Sequence, residues 1–282
     1  MANRKRPRAK KPYRYILGDS SKESARLQRQ ADLWDPHAYE LFERIGVRKG
    51  WKILEVGPGR GSLHLDLRRR VRGPIDAVER SPIFAEFLAS QCSRDKLGHG
   101  KLWNCDLIEA PLPKDHYDFI FARWVFLFLP DPLDHIKQLV RALKPGGTLA
   151  IQDYLRDTLN LVPRPPEWDS FMQADRAFFA SQGGDVNIGS KLPQLFNASG
   201  LRDIEVTPHL KFGRPGEPVW EWLSDYFLGV LKQYSQYKGF SIEHSRALRK
   251  SWRTAERDSE SLLIAPTVLD VVGRKPKSAR TL

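Results

Sequence analysis

The chain has 282 residues, 41% of them hydrophobic and 28% charged, enough for one sizeable α/β core with room for a sub-domain. Its net charge is +12, and residues 1–12 (with Arg4, Lys5, Arg6, Arg8, Lys10 and Lys11, and no acid) supply half of that excess. No apolar run approaches the roughly 18 residues that span a bilayer, and Cys92 and Cys105 are too few to build a metal site, so a cytoplasmic protein without a metal centre is expected.

Residues 1–12 read as a solvated basic tail, with nucleic acid as its possible but not favoured partner. Trp51 to Val56 reads as a first strand that ends at a glycine cluster. A helix follows over Ser62 to Val71, with Ser62 placed to cap it. Ile75 to Val78 is a second strand ending at Glu79. Ser81-Pro82 then opens a helix whose Ile83, Phe84, Phe87 and Leu88 share one face. A weaker third strand covers Lys101 to Asn104, and Asp118 to Ala122 is a clear fourth. Leu133, Ile136, Leu139, Val140 and Leu143 mark the core face of the next helix, and Lys144-Pro145-Gly146-Gly147 turns the chain into a fifth strand, Thr148 to Asp153. Beyond it come a proline-rich stretch, a helix carrying Trp168 to Phe179, a helix over Lys191 to Ser199 and a sixth strand around Ile204 and Val206. Residues 216–260 are aromatic-rich and helical in pattern, and Thr267–Val272 closes the alternation. The spacing predicts a doubly wound, mostly parallel Rossmann-like α/β sheet of seven strands with helical cap insertions at about 155–190 and 213–260.

The chemistry starts at Glu55-Val56-Gly57-Pro58-Gly59-Arg60-Gly61-Ser62, between a strand and a helix, where an open α/β sheet presents its ligand crevice. The spacing is G-x-G-x-G. A dinucleotide fingerprint needs its third glycine one place later, where Ser62 stands, so a nicotinamide-dependent oxidoreductase is disfavoured. Glu55 suits a ligand bearing an ammonium and a sulfonium group and suits a pyrophosphate badly. Glu79, ending the second strand, is placed to accept hydrogen bonds from ribose hydroxyls.

The segment Ile53 to Leu67 resembles the first motif of class I S-adenosylmethionine-dependent methyltransferases, and Lys144-Pro145-Gly146-Gly147 resembles their turn before the fifth strand. Tyr15-Ile16-Leu17-Gly18, with Glu23, Arg26-Leu27 and Gln30, is similar to a lid in the bacterial ubiquinone/menaquinone-methyltransferase-like group. The resemblance implies a lid over residues 13–49, a methyltransferase domain over 50–282, and S-adenosylmethionine as donor with S-adenosylhomocysteine as product. It further implies that Glu55, Gly57, Gly59 and Gly61 line the methionine end and that Glu79 holds the ribose. Asp106 and Leu107 would contact the adenine, Ala122 and Arg123 would face the methionine moiety, and Tyr15 would close over the donor.

Methyl transfer from a sulfonium is an in-line displacement, so a base is needed only where the acceptor loses a proton. Asp153 at the end of the fifth strand, His37 in the N-terminal helix and His209 after the sixth strand are the candidates. Ala122-Arg123-Trp124-Val125 lacks the Asn/Asp-Pro-Pro-aromatic signature of enzymes that methylate exocyclic amines of bases. The cap aromatics Trp220, Trp222, Tyr226, Phe227, Tyr234, Tyr237, Phe240 and Trp252 read mostly as core, with some lining a pocket. A small, apolar or aromatic acceptor is therefore expected. An RNA or protein acceptor, argued from the basic tail, and a donor-binding pseudoenzyme are the alternatives.

Overall fold

Alternation of side chains across the strands explains the layers. In the computed structural model, which describes residues 21–94, 96–237 and 239–277, Ile53, Phe119, Phe121 and Ala150 point to one face of a sheet, while Leu54, Val56, Ile120, Ala122 and Ile151 point to the other. Both faces are covered, so the strands read as continuous apolar runs. The basic stretch 1–12 and Tyr15 lie outside the described residues.

In chain order, α1 (Ser21–Ile45) precedes β1 (Ile53–Val56), α2 (Ser62–Val71), β2 (Asp76–Val78), α3 (Pro82–Cys92) and β3 (Leu102–Trp103). Then come β4 (Tyr117–Arg123), α4 (Pro132–Ala142), β5 (Leu143–Leu155), β6 (Asn160–Val162), α5 (Trp168–Ser181), α6 (Ile188–Ala198), β7 (Arg202–His209) and β8 (Phe212–Gly213). The chain ends with α7 (Pro218–Tyr234), α8 (Ile242–Ala255), β9 (Leu262–Ile264) and β10 (Thr267–Arg274). Among the described residues the main sheet has seven strands in the order β3-β2-β1-β4-β5-β10-β7. Its contiguous pairs from β3 to β5 are parallel, and β10 runs antiparallel to both of its neighbours. This is the doubly wound α/β sheet that the alternation predicted. The winding reverses between β1 and β4, and a ligand crevice belongs at the strand ends there.

Several local readings need correction. Ser62 does not cap α2: Gly61, in the left-handed region, is the N-cap, and no side chain bonds there. Ile83 is exposed, because Ala85, Leu88 and Cys92 form the buried stripe of α3. The Lys144–Gly147 turn falls inside the bounds of β5, where the ladder to β4 shifts register between Tyr117 and Phe119. His209 ends β7 instead of following it. The spacing also missed a second sheet of three short strands, β6-β9-β8, each too brief to show a period.

The insertions pack on one another through rings. Phe171 of α5 meets Phe227 of α7 with centroids 5.1 Å apart, and Trp220 of α7 meets Trp252 of α8 at 5.3 Å. Trp34 of α1 meets Trp222 of α7 at 5.9 Å, which ties the N-terminal helix to the same layer. Most of the aromatic stripe is therefore core. No helix among the described residues is long and apolar enough to cross a membrane.

Candidate functional site

The chain leaves β1 at Val56 and turns into α2 through the glycine loop. Gly57 has φ +66°, and a Cβ there would stand 2.5 Å from Val125 Cγ2. Glycine is required on both counts. Gly57→Ala is expected to cost about 1–3 kcal/mol, from left-handed backbone strain and displacement of Val125. Calorimetric unfolding checks this, and an unchanged Tm would contradict it. Gly59 differs, since a Cβ there would meet nothing within 4 Å and its backbone faces open space. Its N–H donates to Glu79 Oε2 at 3.0 Å, while Ser81 N–H donates to Oε1 at 2.8 Å. Glu79 is 6% exposed, and burial holds its carboxyl above the usual range against the pull of those two N–H groups.

These residues form one wall of a cavity of about 450 Å³, an ordinary volume for a small-ligand site. Glu55, Gly57, Gly59, Glu79, Asp106, Leu107 and Arg123 all line it. Behind Glu55 lies His64, whose Nδ1 is 3.1 Å from Glu55 Oε2. Asp106 accepts from Arg80 Nη1 at 3.1 Å. The Arg123 guanidinium is 2.6 Å from Asp35 of α1 and lies over the Trp124 ring, so β4 and α1 are joined at the cavity's edge. Gly61 and Ala122 are not in the wall. A Cβ at Gly61 would stand 2.5 Å from Leu88 Cδ1, so this glycine lets α2 start against α3, and Ala122 is wholly buried in the sheet.

The three candidate bases are elsewhere. Asp153 is fully buried and accepts from the backbone N–H groups of Leu127 at 3.1 Å and Tyr154 at 2.9 Å. Strand alternation sends Tyr154 into the cavity and Asp153 away from it, beneath the turn that carries Leu127 and Phe128. Burial pushes its carboxyl up to about 7, against the lowering effect of those N–H groups. His37 and His209 stack with centroids 4.3 Å apart, and His209 Nε2 is 2.9 Å from Asp270 Oδ2. Neither lines the cavity. Burial, with Lys211 and His209 nearby, holds His37 below the ordinary imidazole range.

The other half of the wall holds Trp222 and Tyr226, two of the cap aromatics expected to include pocket liners, beside residues that the sequence reading did not single out. Tyr154 stacks on Trp124 at 5.5 Å and 13°, and Arg156, Phe179, Trp222 and Tyr226 complete that side, with Arg26 and Gln30 of α1 above. Arg156 was findable: it follows the end of β5, where side chains reach the crevice. Phe179 carried no such mark, and nothing in the spacing set Tyr226 apart from the cap aromatics that are core.

Residues 54–151 match a family described as a methyltransferase domain. The ubiquinone/menaquinone biosynthesis C-methyltransferase of Pseudomonas aeruginosa (strain LESB58) is 29% identical over 145 residues, covering 49% of this chain and 54% of that protein. The protein of that name from Pseudomonas putida (strain GB-1) is 30% identical over the same shares. The chain thus spans about half the length of the curated relatives it matches. Among solved structures, phosphoethanolamine N-methyltransferase 2 of Haemonchus contortus is similar with a TM-score of 0.56 at 17% identity, covering 86% of this chain and 53% of that one. Geranyl diphosphate C-methyltransferase of Streptomyces coelicolor A3(2) gives 0.53 at 17% identity, covering 92% and 85%. The cyclase SpnF gives 0.54 at 18% identity, covering 86% and 81%. These likenesses show a shared fold, and a cyclase among them means that the reaction must be argued from the site.

Proposed function

We propose that this chain, whose central domain is that of the class I S-adenosylmethionine-dependent methyltransferases, transfers a methyl group from that donor to a small acceptor with an apolar or aromatic body. The observation that carries the reading is Glu79, fixed by two backbone N–H groups at the edge of a glycine loop and facing a cavity of ligand size. Each oxygen keeps a lone pair for a ribose hydroxyl. Glu55 offers its charge to the donor's ammonium, the open backbone at Gly59 admits close approach, and Asp106 and Leu107 stand where an adenine would lie. When bound, the donor supplies an electrophilic methyl group on a sulfonium.

The chain's own part is positioning and dryness. Trp124, Tyr154, Phe179, Trp222 and Tyr226 wall the side of the cavity away from Glu79, exclude water and hold the acceptor flat. Titration calorimetry tests the donor half of this reading. S-adenosylmethionine and S-adenosylhomocysteine should both bind and NAD should not; NAD binding with no response to either donor form would overturn it. For the acceptor half, donor turnover is measured against metabolite extract, tRNA and total RNA in parallel. Turnover on RNA alone would favour the reading based on the basic stretch 1–12, and donor binding without any turnover would favour a pseudoenzyme.

A further inference from the structure

The acids of the cavity wall all lie on one side, where Arg60, Arg80 and Arg123 also stand, and the cap side of the lining carries arginine without an acid. Glu55, Glu79 and Asp106 lie on the side of the glycine loop, whereas Arg156, with Arg26 of α1 nearby, lies where the cap helices meet the end of β5. Arg156 is only 5% exposed yet forms part of the wall. Its guanidinium carbon is 5.0 Å from the ring centres of Tyr154 and Tyr226 and 5.6 Å from that of Phe179. The cage supplies π-faces and leaves the charge without a full hydrogen-bonded counterion.

Asp175 of α5 is its one close acid. Arg156 Nε stands 3.8 Å from Asp175 Oδ2, too far for a hydrogen bond, and both atoms are buried with no hydrogen-bond partner. The other carboxylate oxygen, Oδ1, accepts from the hydroxyls of Tyr234 at 2.6 Å and Tyr226 at 3.2 Å. Two phenols therefore draw on the carboxylate that would otherwise neutralise the arginine. Burial opposes the arginine's charge, but Asp175 and the surrounding tyrosine oxygens outweigh it, so the guanidinium stays charged. A buried cation that is attracted to an acid but not bonded to it, at the edge of an apolar cavity, is a receptor for an anion.

We infer that Arg156 is a specificity-determining residue that selects an acceptor bearing a carboxylate, which it holds while the acceptor's ring or chain lies among Tyr154, Phe179, Trp222 and Tyr226. This rests on the methyl-transfer reading and narrows it from a small apolar molecule to an apolar or aromatic acid. Asp175, which touches Arg156 and not the cavity, is a positioning residue.

The test uses the full chain saturated with S-adenosylhomocysteine, with benzoate and the isosteric neutral benzamide as probes and quenching of tryptophan fluorescence as readout; Trp124 and Trp222 line the cavity. Benzoate should bind at least tenfold more tightly than benzamide, and Arg156→Met should erase that preference with the S-adenosylhomocysteine affinity unchanged within twofold. Equal binding of the two probes, or a preference that survives in Arg156→Met, would overturn the inference. If the Met variant does not fold, Arg156→Lys keeps the charge and loses the planar fork, and the preference must then fall at least threefold. An unchanged preference in Arg156→Lys would then overturn it. The two readings fail separately: no binding of S-adenosylhomocysteine sinks the donor reading, whereas loss of the benzoate preference with that binding intact sinks only this one.

Discussion

Glu79→Ala is expected to weaken binding of S-adenosylmethionine roughly 10- to 150-fold, the range that corresponds to about 1.5–3 kcal/mol for hydrogen bonds to a charged group. The side chain does two jobs at once. It accepts from Gly59 and Ser81 on its two oxygens, which sets the glycine loop against the start of α3, and it presents its remaining lone pairs to the cavity. Glu79→Gln is not the mild control it resembles. An amide placed there must aim its NH2 at one of the two backbone N–H groups, so donor faces donor and the loop has to shift. Both variants should therefore lose affinity, with a small drop in Tm from the orphaned N–H groups. Titration calorimetry on folded protein decides the matter, and an affinity equal to wild type in Glu79→Ala would remove Glu79 from the donor site.

The glycine-loop half of the cavity was legible because it is made of short-range chemistry. A glycine loop after a buried strand, an acid two residues before it and an acid at the next strand's end are all visible as spacing, and the sheet order puts them side by side. The cap half is made of long-range contacts. Arg156, Phe179 and Tyr226 come from the end of β5, from α5 and from α7, and nothing in the sequence says that these three meet. The same reason explains the misplaced bases. Asp153 stands at a strand end, where side chains reach a crevice, yet which of two adjacent residues points inward is a matter of register, and Tyr154 takes the inward place. His37 and His209 have the chemistry of a base, and the fold spends both on packing between α1 and the edge of the sheet. The glycines repeat the lesson on a smaller scale. Three stand in one motif, but Gly57 makes room for Val125, Gly59 faces the cavity, and Gly61 serves helix packing.

Stability should fall in two separable steps as pH rises, one owed to Asp153 and one to His64. Asp153 is raised by burial from 3.8 to about 7. A raised folded-state value contributes stability that is complete below the unfolded value and lost as pH climbs through the folded one, so the Asp153 step runs from about pH 4 to 7. Three pKa units correspond to about 4 kcal/mol. For His64, burial alone would lower the imidazole, but hydrogen bonds to Cys92 and Glu55, with the Glu55 charge, outweigh it and lift the group from 6.5 to about 9. Its side chain is 3% exposed, so solvent screens the pair little, and the same rule puts its step between about pH 6.5 and 9, worth about 3 kcal/mol. The wild-type curve sums every titrating group and cannot assign the steps, but differences between variants can. Asp153→Asn keeps one accepting oxygen for Leu127 or Tyr154 and sets an NH2 against the other N–H, a fixed cost independent of pH. Its stability relative to wild type should therefore rise by about 4 kcal/mol between pH 4 and 7 and stay level above. His64→Gln can still donate to Glu55 and carries no proton to lose, so its deficit should be largest below pH 6.5 and shrink by about 3 kcal/mol by pH 9. Urea midpoints at half-unit pH intervals, converted with a common slope, measure both differences. A flat difference curve for Asp153→Asn would mean that its carboxyl ionises as easily in the folded chain as in the unfolded one. A flat curve for His64→Gln would mean that the histidine behind Glu55 is held neutral and that this acid of the cavity wall has no cationic partner in it.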